Sequence, residues 1–187
     1  SPKAFVWMSL SAVLFALMNF FARMASAGAP WTLVGGTRAL IGAVVALWVA
    51  RLRGVSIRPI HARGMWPRSL FGTAAMLCTF FALARSELPL GDTVTLLNLY
   101  PIFIAAVSPA LLGERPNRRV LLSLSLAVAG VVLILHPTIV FGGPPPPEGA
   151  AIGAGVAVGA SVFATFAMVS LRRIGSRETA EAVAFHF

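Results

Sequence analysis

Acidic residues are scarce in this chain: six Asp and Glu stand among 187 residues, cysteine and tyrosine occur once each, and histidine three times. Each shortage excludes something. A lone thiol, Cys78, cannot close an intramolecular disulfide, and among apolar neighbours it reads as packing rather than chemistry. His61, His136 and His186 are far apart, with no Cys or His partner at metal-ligand spacing. The chain also lacks a phosphate-cradling glycine loop and any arguable Ser-His-Asp set, so nothing points to a soluble enzyme site. Charged residues make up 11% of the chain, where a soluble domain carries roughly 25%. Too few polar side chains remain to cover a water-facing surface.

Apolar sequence fills the space, 58% of all residues. Six runs stand out, at residues 4–22, 32–50, 69–84, 93–112, 120–136 and 150–171, and a seventh starts near Ala180. A helix needs about 20 apolar residues to cross a hydrocarbon core of ~30 Å. The third and fifth runs are short by that measure, so their flanking Arg side chains would have to snorkel to the interface. The expectation is an all-α fold, a polytopic membrane helix bundle whose solvent is the lipid bilayer. The first run, with Lys3 before it and Ala25-Ser26-Ala27 after it, imitates a signal peptide. Five further runs make that the poorer reading, and an apolar run of 19 residues exceeds the usual h-region of about 7–15.

The cations orient the bundle. Lys3; Arg51, Arg53, Arg58, Arg63 and Arg68; Arg115, Arg118 and Arg119; and Arg172, Arg173 and Arg177 fall in alternate gaps between runs, leaving Arg23, Arg38 and Arg85 for the opposite face. Cytoplasmic loops carry the excess of Lys and Arg, so the N-terminus is expected in the cytoplasm and the protein in the inner or plasma membrane. The net charge of +9 does not imply nucleic acid, because these cations sit in short loops that face anionic headgroups.

The sequence Gly-Gly-Pro-Pro-Pro-Pro-Glu at 142–148 cannot continue a helix and favours stiff polyproline II of about 3 Å per residue. It divides the chain into a first bundle at 4–136, an external linker at 137–148, and the start of a second bundle at 149–187. Five spans precede the linker, so the sixth enters from the side opposite to the first, and a repeat would have to be inverted. A shift of 148 residues places Ala12 on Ala160, Phe15 on Phe163 and Ala16 on Ala164, which is near chance for apolar sequence. The argument therefore rests on topology. Inverted repeats with a midplane site are a recurrent plan of secondary transporters. The chain has no initiating Met and stops inside an apolar segment, so we expect a fragment of a longer protein.

Inside the spans, the informative residues are those a bilayer rejects. Arg38 lies about 9 Å into the second span at 1.5 Å per residue, where a buried Arg calls for protein, a carboxylate or a water-filled cavity, unless it snorkels outward. Asp92, Thr95, Asn98, Pro101, Ala105 and Ser108 recur every three or four residues, which puts small or polar groups on one face of the fourth span. That face lines a path or forms a helix seam, and Pro101 leaves a carbonyl near residue 97 without its donor. Tyr100 lies off this stripe and could be an interface aromatic. Ser9, Ala12, Ala16, Asn19 and Arg23 make a similar face in the first span, and Gly35, Arg38, Ala39, Gly42 and Ala46 in the second. The pairs Gly149/Gly153 and Gly155/Gly159 have small-xxx-small spacing and suggest close helix packing. Arg38 and Asp92 both fall near the outer ends of their spans and could pair.

The run Leu97-Asn98-Leu99-Tyr100-Pro101-Ile102-Phe103, then Leu112-Gly113-Glu114-Arg115, then Ala129-Gly130-Val131-Val132-Leu133, resembles the first repeat of EamA-type members of the drug/metabolite transporter superfamily, as does Thr37-Arg38-Ala39 in the second span. The resemblance implies ten helices in two inverted five-helix repeats, the first complete here and the second truncated, with both termini cytoplasmic and a central cavity worked by alternating access. It implies a small-molecule substrate such as an amino acid, an amine or a related compound, moved without a cofactor. Export is the expected direction, with a coupled proton or no coupling ion, in a monomer or homodimer. The substrate pathway would draw on Asn19, Arg38, Thr95, Asn98, Tyr100 and Pro101. Asp92 and Glu114, the latter at the cytoplasmic end of the fourth span, would gate or brace it. The rival readings are a membrane-embedded enzyme, which would need a nucleophile, acid and base gathered at one interface, and a non-transporting scaffold subunit, for which a buried Arg38 is unnecessary.

Overall fold

The computed structural model describes residues 2–60, 62–85, 87–113, 117–135, 147–174 and 178–186. Every regular element among them is helical: α1 (Pro2–Gly28), α2 (Trp31–Leu52), α3 (Ala62–Ala84), α4 (Leu90–Leu97), α5 (Tyr100–Leu112), α6 (Arg118–Leu135), α7 (Ala150–Ile174) and α8 (Ala180–Phe185). Proline and glycine punctuate them. Pro30 and Pro89 precede α2 and α4, where a missing N–H costs nothing, and Gly113 ends α5 at φ 69°, a left-handed geometry that favours glycine. Thr179 caps α8 by accepting the Ala182 N–H at 3.2 Å.

Among the described residues, five segments are long and apolar enough to cross a membrane: Phe5–Gly28, Trp31–Leu52, Arg63–Ala84, Leu90–Leu111 and Ala150–Ile174. In α6 the apolar stretch is the shorter Val120–Gly130. The third span is thus longer than the run at 69–84 suggests. Pro67 lies inside α3, in its second turn, where its missing N–H leaves the Arg63 carbonyl without a helical donor, yet the helix runs through it. The helix can therefore start before the apolar run and carry Arg63 and Arg68 on its first two turns. The fourth span runs over Leu90–Leu111 but is not one helix: a turn at Asn98 and Leu99 divides it into α4 and α5. His61, His136, Glu114 and residues 137–146 of the linker lie outside the described residues.

The apolar exterior is what a bilayer-facing bundle requires. Phe5, Trp7, Leu14, Phe21, Leu40 and Trp48 are all more than half exposed. With lipid outside, association comes from close packing rather than from the hydrophobic effect, and small residues mark the seams. The central helix is α3, packed along its length on α7. Gly153, Ala157, Ala160 and Ser161 of α7 are buried, and Phe71 of α3 stacks on Phe163 with centroids 6.4 Å apart and lies tilted against Phe166 at 5.3 Å. One core cluster joins Ala22, Phe80 and Leu83, and another joins Ala82, Leu96 and Ala157. Gly35 is buried because a Cβ there would meet the Phe80 ring at 3.3 Å. Gly155 and Gly159 face open space, so of the two small-residue pairs in α7 only Gly149/Gly153 marks a contact.

Candidate functional site

Arg38 sits in the third turn of α2, half-buried. Its Nε donates to Met18 Sδ of α1 at 3.1 Å, and its Cζ lies 5.8 Å from the centroid of the Phe80 ring of α3. A thioether is a weak acceptor, and a ring at that distance is a modest cation–π partner. The guanidinium also forms part of the wall of two hollows. The larger, about 750 Å³, is bounded by α2, α3, α7 and α8, including Arg38, Gly42, Arg68, Leu171, Glu178 and Phe185. The smaller, about 340 Å³, lies toward α1 and is lined by Trp7, Leu14 and Met18. A volume of several hundred Å³ with a few polar groups in apolar walls is the usual form of a small-molecule pocket.

Two ends of α8 matter to this cavity. Glu181 pairs with Arg53 at 2.8 Å, which ties α8 to the end of α2. His186 Nδ1 lies 2.9 Å from the Ala182 carbonyl, so its ring is engaged within α8. Arg68 stands in the cavity wall rather than in a loop, because α3 begins before the apolar run does.

The stripe of the fourth span behaves differently from Arg38. Thr95 Oγ1 donates to the Gly91 carbonyl at 2.8 Å and Asn98 Nδ2 to the Val94 carbonyl at 2.7 Å, each four residues back on its own helix. Asn98 is exposed and Tyr100 half-buried. Asp92 is half-buried in the first turn of α4 and takes no part in the Arg53–Glu181 and Arg85–Glu87 ion pairs. Asn19 of α1 is 4% exposed, and its Oδ1 is buried without a hydrogen-bond partner. Arg38 and Asn19 thus stand at the α1–α2–α3 contact, whereas Thr95, Asn98, Tyr100 and Pro101 cluster at the break between α4 and α5.

That break is held by residues the sequence reading overlooked. With no N–H on Pro101, the Leu97 carbonyl loses its helical donor. Ser161 Oγ of α7 takes its place at 2.9 Å and also reaches the Leu96 carbonyl. One turn further along α7, Thr165 Oγ1 lies 3.3 Å from the Tyr100 carbonyl and 2.8 Å from the Ser161 carbonyl. Both hydroxyls are essentially inaccessible. Irregular backbone at membrane depth persists only where protein satisfies it, and here a Ser-x-x-x-Thr pair on the sixth span does so. Two hydroxyls one helical turn apart in a 25-residue apolar helix were the available signal.

No three His, Cys, Asp or Glu side chains among the described residues gather as a metal site would need. Residues 2–136 match the EamA-like transporter family. The pseudopaline exporter CntI of two Pseudomonas aeruginosa strains, UCBPP-PA14 and PAO1, is 28% identical over 178 residues, covering 95% of this chain and 60% of each relative. The chain therefore spans three-fifths of the length of these curated relatives. No solved structure matches. With a family match over most of its length and a helical bundle to carry it, this multi-pass membrane chain belongs to the EamA-like transporter family.

Proposed function

We propose that the chain is the greater part of a secondary transporter that moves a small metabolite across a cell membrane by alternating access, in the direction of export. The observation that carries the reading is the hollow of about 750 Å³ at Arg38, with two cations and one carboxylate in apolar walls. Such a lining suits an amphipathic molecule bearing an anionic or zwitterionic head, such as an amino acid or a related compound. The match to exporters of Pseudomonas aeruginosa supports the direction. The cation-loaded loops support a cytoplasmic N-terminus in the inner or plasma membrane, and the transport cycle would use a coupled proton or no ion. The helix starts also support a second repeat: α7 begins 148 residues after α1, and α8 begins 149 after α2.

The test is efflux by the full-length protein, measured as the exported metabolite pool of expressing cells against a vector control. Arg38→Gln removes a charge-assisted contact worth about 1.5–3 kcal/mol, which predicts a rise in KM of roughly 10- to 100-fold at unchanged membrane abundance. A variant with the parent's KM would take Arg38 out of the site. No difference between expressing and control cells across the small polar metabolites would count against the transporter reading itself.

A further inference from the structure

The two ends of the bundle are unlike. Where α3 begins and α7 finishes, the large cavity is lined by Arg68, Leu171, Glu178 and Ala180, so a hollow runs from that end to Arg38. Where α1 and α3 finish and α7 begins, the helices are tied together. Arg23 of α1 donates from Nη1 to the Leu83 carbonyl at 3.1 Å and from Nη2 to the Leu88 carbonyl at 2.8 Å. The first of these is among the last carbonyls of α3, which have no partner within the helix. Arg85 pairs with Glu87 at 3.3 Å and holds its Cζ 4.9 Å from the centroid of the Phe81 ring.

Glu87 in turn seats against the start of α7. Gly149, at φ +90°, leaves room for it, since a Cβ there would lie 3.4 Å from Glu87 Oε1. Four residues on, a Cβ at Gly153 would lie 3.0 Å from Leu88 Cδ1 and 3.5 Å from Arg85 Cβ. Glu87 and Leu88 therefore lie between the Arg23 guanidinium and the start of α7, with the Arg85 side chain beside them. They join helices on both sides of the proline-rich linker. The Arg85 and Glu87 side chains remain 32% and 29% exposed, while Glu87 Oε2 is buried without a partner, so parting them lets water reach an oxygen that is unsatisfied in the closed arrangement. A seal that water can relieve is one that can cycle.

We propose that Arg23, Arg85 and Glu87 form the external gate of the carrier, closed here in an inward-open state, and that outward release requires Glu87 and Leu88 to leave Gly149 and Gly153 at the start of α7. The inference rests on the transporter reading and on a cytoplasmic N-terminus. Arg23 supplies the fixed jaw by holding the end of α3, and Glu87 supplies the moving contact to α7. Parting them exposes the Leu83 and Leu88 carbonyls to external water, which restores their hydrogen bonds.

The test uses the full-length protein in a Cys78→Ala background with a reporter thiol at the cavity wall, Ala39→Cys, and a membrane-impermeant maleimide. In the parent, labelling should be several-fold faster in inside-out than in right-side-out vesicles. Glu87→Gln and Arg23→Gln should each raise right-side-out labelling about two- to five-fold, the range an exposed ion pair can shift a two-state population, and the reversed pair Arg85→Glu with Glu87→Arg should bring it back toward the parent. Unchanged right-side-out labelling in both single variants would overturn the gate. Should those variants fail to insert, a disulfide between Leu88→Cys and Gly153→Cys gives the converse reading: oxidation should suppress right-side-out labelling, and undiminished labelling would overturn the proposal. No substrate is added, so an error in the transport reading, seen in the efflux assay, stays distinct from an error about the gate.

Discussion

The break in the fourth span offers a sharp test of how this bundle is held. Ser161→Ala deletes the hydroxyl that stands in for the N–H absent at Pro101. The magnitude follows from what each carbonyl keeps. The Ser161 hydroxyl lies 2.5 Å from the Leu96 carbonyl and 2.9 Å from the Leu97 carbonyl and shares its one proton between them; without it the Leu96 carbonyl retains the Leu99 N–H at 3.2 Å, whereas the Leu97 carbonyl loses the donor that replaces residue 101. One hydroxyl proton is lost, so one bond is at stake. A buried carbonyl stripped of its donor costs about 1–3 kcal/mol in a soluble core. Hydrogen bonds between membrane helices average nearer 0.6 and reach about 1.7 kcal/mol, because the alternative state finds partners too. A carbonyl with a second lone pair is also cheaper to strand than an N–H. The expected cost is therefore about 1 kcal/mol, or roughly 2–4 °C in the detergent melting temperature of the full-length protein. Pro101→Ala restores an N–H at the position from which a helix would serve Leu97, so the double variant should lose less than the sum of the singles. Strict additivity in this cycle would mean that Ser161 does not substitute for the missing donor.

Three further outcomes follow from the same geometry. Arg38→Met and Asp92→Asn should combine additively in melting temperature, because the Arg38 guanidinium reaches Met18 of α1 and lies over Phe80 of α3 while Asp92 sits in the first turn of α4; a coupling above about 1 kcal/mol would restore their pairing. Single cysteines at Ser56 and Gly143, in a Cys78→Ala background, should label from opposite faces, and labelling from the same face would remove both the orientation and the inverted repeat. Glu87 has its carboxyl lowered from 4.5, first by its own backbone N–H and then by Arg85 and Arg23. A lowered folded value adds stability that is present above pH about 4.5 and is lost as pH falls through the folded value. Acid melting between pH 5 and pH 3 should therefore flatten in Glu87→Gln, and an unchanged acid limb would show that Glu87 gains nothing from its surroundings.

The helices were legible in the sequence because a bilayer admits few alternatives: an apolar run of about 20 residues must satisfy its own backbone, and only a helix does so within one segment. Residues 32–50 and 150–171 accordingly fall inside α2 and α7. Boundaries were less legible, since Arg63 and Arg68 look like loop cations until α3 is seen to begin at Ala62 with Pro67 already inside it. A buried Arg announces itself by its cost, which is why Arg38 stood out from one line of sequence. The break at Asn98 did not, because Pro101 signals a missing donor without saying whether the chain kinks or parts. That choice is made by Ser161 and Thr165, more than 60 residues away, whose hydroxyls make the parted backbone tolerable. Thr95 and Asn98 show what spacing leaves open: it marks a polar face, and each of them also bonds the carbonyl four residues back on its own helix. Periodicity reports where a side chain is mounted on a helix; what that side chain bonds is fixed by the local carbonyl within its reach and by whichever helix comes to lie opposite.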